Sequence, residues 1–293
     1  MVARLPKVAP GRYTVVRPPR ALAHRAGHAW EQAWLPFVKA DLIYCPANLA
    51  PVVSSRNVVV IHDVAALRHP EWYSGAYVAW QRAVLPRIAR RARLVITVSQ
   101  FSRREIEEVL GVEATVIPSG VGERFKPAES KDDYALVVGT RIARKNLAVL
   151  DAAGQALREH GIELVAAGSG RGYMRGERRP VRELGYVPDD QLPGLYARAR
   201  VLLMPSLYEG FGLPCLEAMA SGTPVVAANR AALPETCGDA ALVVEPEEFA
   251  EAAVKAATGE SERLTAAGLE RAAGFTWERT ARETDQAIAD LLG

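Results

Sequence analysis

Ala199-Arg-Val-Leu-Leu-Met-Pro205 runs straight into Ser206-Leu-Tyr-Glu-Gly-Phe-Gly-Leu-Pro-Cys-Leu-Glu217. The apolar run predicts a buried strand, Gly210 and Gly212 bracket a tight turn, and Pro214 suits the first position of a helix that carries Glu217. A strand, a glycine turn and a helix in that order form the unit from which helix-covered parallel sheets are built. The first turn of such a helix leaves its N–H groups without intrahelical acceptors, and the positive end of the helix dipole lies there, so it favours a diphosphate. Glu209 before the turn and Glu217 inside the helix, with seven residues between them, are placed to hold the two ends of a nucleotide-sugar.

Working outward, short apolar runs alternate with amphipathic helical stretches along the whole chain, which predicts an α/β fold with two parallel sheets. The first set of expected strands is Tyr13–Val16, Asp41–Cys45, Asn57–Ile61, Leu94–Val98 and Ala114–Ile117. The second is Tyr134–Val138, Glu163–Ala167, Val201–Met204, Thr223–Ala227 and Ala241–Val244. Between them Pro118-Ser-Gly-Val-Gly122 and Lys126-Pro127 make a turn-rich connector.

Further motifs stand at strand ends: His62-Asp63 after Asn57–Ile61, Thr97-Val-Ser-Gln-Phe-Ser102, Val116-Ile-Pro-Ser-Gly-Val121, Val138-Gly-Thr-Arg-Ile-Ala-Arg-Lys-Asn146 and Gly185-Tyr-Val-Pro188. Together with the pair of glutamates, they resemble the retaining glycosyltransferases of family 4 and their Glu-x7-Glu motif. The resemblance covers about residues 30 to 293. It implies the GT-B architecture, two Rossmann-like domains with parallel sheets facing across a cleft. On that basis residues 1–122 are expected to form an N-terminal, acceptor-side domain, joined by a C-terminal helix over 276–293, and residues 123–275 the nucleotide-sugar-binding domain. Relatives begin with a further strand and a Gly-rich loop, so the first domain is expected to be truncated: it is pared down, or the chain is a fragment, or something else completes it.

The resemblance also implies roles. Lys145, read as the head of a helix after Tyr134–Val138, corresponds to a cation that meets the leaving diphosphate; Arg144 or Arg141 supplies a second, because Thr140 stands where the family commonly has arginine. Gly139 lets the chain approach the donor closely. Glu217 accepts hydrogen bonds from the two ribose hydroxyls, Glu209 holds the donor sugar's hydroxyls, backbone N–H groups of Gly210, Phe211, Gly212 and Leu213 cradle phosphates, and Val187 meets the base through its main chain. His62 is the catalytic candidate from the first domain; the plainer reading makes it a satisfied structural histidine. Ser99 and Ser102 look like a strand-end loop and a helix N-cap at the acceptor side, and Ser102 with Glu105 has capping-box spacing, so structure alone accounts for the two serines.

No cofactor or metal is implied, the nucleoside-diphosphate sugar being the donor substrate. The expected reaction is transfer of a hexose, with retention, to a hydroxyl acceptor that is a glycan or lipid-linked. An oxidoreductase reading of Gly168-Ser-Gly170-Arg-Gly172 fails because the third glycine of a dinucleotide loop would fall at Tyr173. The other reading is a transferase-like protein that only binds nucleotide or a partner.

Composition sets the frame. The 293 residues are 49% hydrophobic, with a net charge of +2. No stretch reaches the roughly 18 apolar residues of a membrane span, and the first residues lack a signal-peptide core. A cytoplasmic location is therefore expected, peripheral at the inner membrane face if the basic first domain meets lipid. Residues 1–126 carry 18 Lys and Arg against 9 Asp and Glu, leaving 18 against 25 in the remainder. Much of that charge is in Arg82, Arg87, Arg90, Arg91 and Arg93, near Trp80, and two readings are open: a solvated helix face, or contact with an anionic membrane or acceptor. Nucleic acid is not expected, for want of a binding motif. Cys45, Cys215 and Cys237 are scattered and read as reduced packing residues.

Overall fold

The computed structural model describes residues 4–19, 27–139, 142–168 and 181–293. The chain divides into two compact units: residues 1–70, 75–120 and 277–293 form the first, and 71–74 with 121–276 the second. Each is built on a parallel sheet, as the alternation of strand and helix requires.

In the first unit the strands β1 (Ile43–Cys45), β2 (Asn57–Val60), β3 (Leu94–Thr97) and β4 (Thr115–Val116) lie side by side in chain order, all parallel. All four residues of β2 are buried, as a strand covered on both faces demands. Its core joins Val59, Ile61 and Val95 to Leu85 and Ile88 of the helix Gly75–Arg91 and to Ile106 and Leu110 of the helix Gln100–Leu110. Burying side chains of this size contributes roughly 1.5–3 kcal/mol each. The last helix, Trp277–Leu292, belongs to this unit: Thr280 donates to the Pro118 carbonyl at 2.8 Å, and Asp285 accepts from Arg12 at 2.7 Å and from Tyr13 at 2.6 Å.

Two expectations are corrected here. Tyr13–Val16 is not a strand but an extended surface segment; Val15 and Val16 are exposed, and Tyr13 is occupied by Asp285 rather than by a strand neighbour. The cap of the helix Gln100–Leu110 is Ser99, which accepts from the Ser102 amide at 3.0 Å. Ser102 is inside the helix with its hydroxyl on the His62 carbonyl at 2.9 Å, and Glu105 is paired with Arg68 at 2.9 Å.

The second unit holds β5 (Tyr134–Val138), β6 (Glu163–Ala167), β7 (Arg182–Gly185), β8 (Val201–Met204), β9 (Val225–Ala228) and β10 (Leu242–Val244) in the order β10-β9-β8-β5-β6-β7, again all parallel. β8 and β9 are buried throughout. β7 has no counterpart among the expected strands, because its residues are polar and half exposed at the sheet edge, leaving no apolar run to read. The order determines where a ligand can sit. The chain leaves β5 for β6 and β7 on one side, then returns to place β8 on the other, so the carboxyl ends of β5 and β8 flank a topological switch point, where open α/β sheets bind ligands.

Candidate functional site

A small crevice opens at that switch point, lined by Val137, Val138, Gly139 and Lys145 from the β5 side and by Met204, Pro205 and Ser206 from the β8 side. Gly139 has φ +146, and a Cβ there would come within 2.8 Å of the Lys145 Cε, so glycine is what lets the lysine pass over the strand end. Lys145 does not head a helix, as the sequence suggested. It closes a 3-10 turn, Ala143–Lys145, because Asn146 follows at φ 49, and the next helix begins only at Leu150. The tight turn points the side chain inward, where the residue is 6% exposed.

What meets it is Glu209. Lys145 Nζ lies 2.6 Å from Glu209 Oε1, and Arg144 Nη1 lies 3.0 Å from the same oxygen. Arg144 also donates to the Tyr208 carbonyl at 2.6 Å, and the Leu207 amide donates to the Arg144 carbonyl at 2.7 Å, so the two strand-end loops are laced together. Burial opposes ionisation of Glu209, but the charges of Lys145 and Arg144 and the Lys145 hydrogen bond outweigh it and hold the carboxyl at about 2. Burial lowers Lys145, partly offset by Glu209 and reinforced by Arg144. Among the described residues one carboxylate thus faces two cations in a site shielded from water. Desolvated charges at this spacing interact far more strongly than on the surface. Ser206 lines the crevice with a buried hydroxyl that has no formed hydrogen bond among the described residues.

Beyond Glu209 the chain turns into the helix Leu213–Ala220 through Gly212 at φ +98, where a Cβ would come 2.8 Å from Leu233 Cδ2. Pro214 sits in the first turn, and Phe211 is held against Phe275 with ring centroids 5.9 Å apart. At the start of this helix Pro214 has no N–H and the Cys215 amide already donates to the Gly212 carbonyl at 2.9 Å, so the N–H offered to a ligand from its first turn is that of Leu213. Glu217 lies one turn inside it. Burial pushes its carboxyl up to about 7, against smaller downward pulls from the Tyr196 hydroxyl and Arg124. Tyr196 is fully buried, its hydroxyl has no formed hydrogen bond among the described residues, and the Glu217 carboxyl is its polar neighbour.

The structure therefore brings Gly139, Arg144, Lys145 and Glu209 together, and sets Gly210, Phe211, Gly212, Leu213 and Glu217 on the turn and helix that follow. Val187 is a half-buried loop residue just beyond β7, next to Tyr186, which is 71% exposed. Arg141 and the residues 169–172 of the rejected dinucleotide loop lie outside the described residues. His62 belongs to the first unit, at the end of β2. Its amide donates to Asn48 Oδ1 at 2.8 Å, and its Nε2 lies 3.0 Å from the Pro46 carbonyl. A carbonyl only accepts, so in that contact Nε2 is the donor. All three cysteines are buried and free of disulfides.

Tyr196, Arg124 and Ser206 escaped the sequence reading. Tyr196 looks like an ordinary core position of the helix Leu192–Arg198; the only signal was that a buried tyrosine hydroxyl calls for a partner.

Comparison with known proteins matches residues 132–258 to "Glycosyl transferases group 1" and residues 4–124 to "Glycosyltransferase Family 4". The chain is 36% identical to the O-antigen chain mannosyltransferase B of Escherichia coli, over 89% of this chain and 78% of that protein. It is 32% identical to the MMP alpha-(1->4)-mannosyltransferase of Mycolicibacterium hassiacum, over 80% of this chain and 62% of the relative's length. Among solved structures, the sucrose-phosphate synthase of Thermosynechococcus elongatus superimposes with a TM-score of 0.70 at 22% identity, over 96% of this chain and 82% of that one. Anabaena HepE in complex with UDP and glucose gives 0.69 at 20% identity, over 85% and 78%. At such identities these two likenesses speak for the fold alone.

Proposed function

Because the chain belongs to the glycosyltransferases, with a group 1 domain in its second half and a family 4 domain in its first, we propose that it transfers a hexose from a nucleoside-diphosphate sugar to a hydroxyl acceptor with retention at the anomeric carbon. The observation that carries the reading is the pair of cations, Lys145 and Arg144, held at the switch point next to the helix of Glu217.

In this reading the diphosphate binds beside the two cations, which remain close enough to Glu209 to keep it ionised. That carboxylate accepts hydrogen bonds from the donor sugar's hydroxyls, and charge-assisted bonds of this kind are the strong ones. As the anomeric C–O bond breaks, negative charge grows on the leaving diphosphate, and Lys145, Arg144 and the amide groups of Phe211 to Leu213 stabilise it. The acceptor oxygen attacks on the face the leaving group vacates, and its proton passes to a diphosphate oxygen. Glu217 accepts from the ribose hydroxyls, Gly139 admits the donor, and the Val187 main chain meets the base. Arg141 offers a further cation, and His62 is the candidate from the first unit. The names of the relatives favour a mannosyl donor and a glycan acceptor; a lipid-linked acceptor is the other form this reading allows.

A panel of mannosyl and glucosyl nucleoside diphosphates, assayed for transfer and for slow hydrolysis, tests this. Turnover of one donor is expected, with the product's anomeric configuration matching the donor's by proton NMR, and Lys145→Ala slowing it about 10²–10³-fold. Tight nucleotide binding without turnover of any donor would reduce the chain to a binding protein.

A further inference from the structure

We propose that one face of the first unit docks on an anionic lipid bilayer, inserting aromatic side chains between arginines. The face combines the helix Gly27–Ala33, the 3-10 turn Leu35–Phe37, the loop at Val53 and one stripe of the helix Gly75–Arg91. Large apolar side chains stand in water on it: Phe37 is 82% exposed, Val53 65%, Trp34 59% and Trp80 37%.

These residues share a surface because the elements beneath them are bonded to one another. Gln32 of the first helix donates to the Ala50 carbonyl at 2.9 Å and accepts from the Val52 amide at 2.8 Å, which ties that helix to the loop of Val53. Arg91 reaches across from the long helix to the Val53 carbonyl at 3.1 Å, and the rings of His28 and Trp80 lie 6.1 Å apart. Along the long helix, Trp80, Arg87 and Arg91 recur at spacings of seven and four, within about 40° of one another at 3.6 residues per turn. Val78, Gln81, Leu85 and Ile88 take the buried side. Of the five arginines between Gly75 and Arg93, a stretch without a single acidic residue, the stripe therefore selects Arg87 and Arg91, whose described hydrogen bonds go to backbone carbonyls and which have no ion pair among the described residues.

The chemistry of the partner follows from that combination. Trp places an apolar ring and a polar N–H at a water–hydrocarbon boundary, and exposed Phe enters the acyl region. Two arginines beside them meet anionic headgroups, each contributing about 1 kcal/mol. Insertion and charge together give the two signals that stable surface binding needs. The bilayer is met from its surface, since no described helix is long and apolar enough to cross it. The inference stands independently of the donor site, so either can fail alone.

Cosedimentation with phosphatidylglycerol–phosphatidylcholine vesicles and with pure phosphatidylcholine vesicles decides it. The whole chain is expected to bind the anionic vesicles, to lose affinity as salt shortens the Debye length from about 10 Å to 3 Å, and to show a blue shift of tryptophan emission on binding. Arg87→Gln and Arg91→Gln should each weaken binding about fivefold, the equivalent of ~1 kcal/mol. Trp34→Ala with Phe37→Ala should abolish the blue shift, while hydrolysis of the nucleotide-sugar in solution stays at the parent rate. No binding to anionic vesicles overturns the proposal. So does binding unchanged in these variants, or a concentration-dependent dimer that the Trp34→Ala, Phe37→Ala variant dissolves, which would make a second copy of the chain the occupant.

Discussion

Glu217 and Glu209 are both carboxylates in one site, yet their surroundings drive them apart. Glu209 faces two cations and stays ionised; burial raises Glu217 by more than the Tyr196 hydroxyl and Arg124 lower it, and it reaches about 7. Because its folded value lies above the usual 4.5, the folded chain keeps a proton there that the unfolded chain releases. Stability contributed by Glu217 should therefore fall as pH rises from about 4.5 to 7 and level off above. Nucleotide binding should run the other way, since ribose hydroxyls need an ionised acceptor. Affinity for nucleoside diphosphate, measured by titration calorimetry, is expected to be about tenfold weaker at pH 6 than at pH 8, following the ionised fraction. Tyr196→Phe removes a group that favours the charged form, so the midpoint should move to higher pH. A Glu217→Gln variant that kept the same pH profile would remove the residue from the ribose role.

At the scale of the element, the helix Leu213–Ala220 owes its position to Gly212, whose left-handed φ and closeness to Leu233 leave no room for a side chain. Gly212→Ala is expected to cost about 1–3 kcal/mol in thermal or denaturant unfolding and to weaken nucleotide binding. Leu233→Ala in the same chain should relieve the collision but not the backbone strain, recovering part of the nucleotide affinity; full recovery would show that φ is of no account. The glycines around this helix were legible in the sequence, as were nine of the strands seen in the structure, because apolar runs and turn residues are local signals. β7 was not, since a polar edge strand has no such pattern, and Tyr13–Val16 misled because an apolar pair on the surface looks the same on paper as one in a sheet. Lys145, Arg144 and Glu209 could each be named from motifs. That they bind one another could not, since the contact spans 64 positions of sequence and exists only once β8 lies beside β5.

At the scale of the whole molecule, the last helix belongs to the unit that the chain left at Gly120. Ending the chain at Thr276 takes away the partners of Pro118, Arg12 and Tyr13. Amide exchange in β2 and β3 should then quicken markedly, with β8 and β9 keeping their protection; unchanged exchange in β2 would make the helix an appendage. The long span between Arg144 and Leu207 also has a meaning in time. A nascent chain that has just completed β5 and β6 carries Lys145 as an ordinary hydrated lysine, and the charged crevice comes into being only after residue 209 has been added and folded back. The loop-closure entropy of that return has to be met by contacts in the sheet first. The charged crevice is thus assembled later than β5 and β6, and the Leu207 amide should gain protection later than Val137 in pulse-labelled refolding.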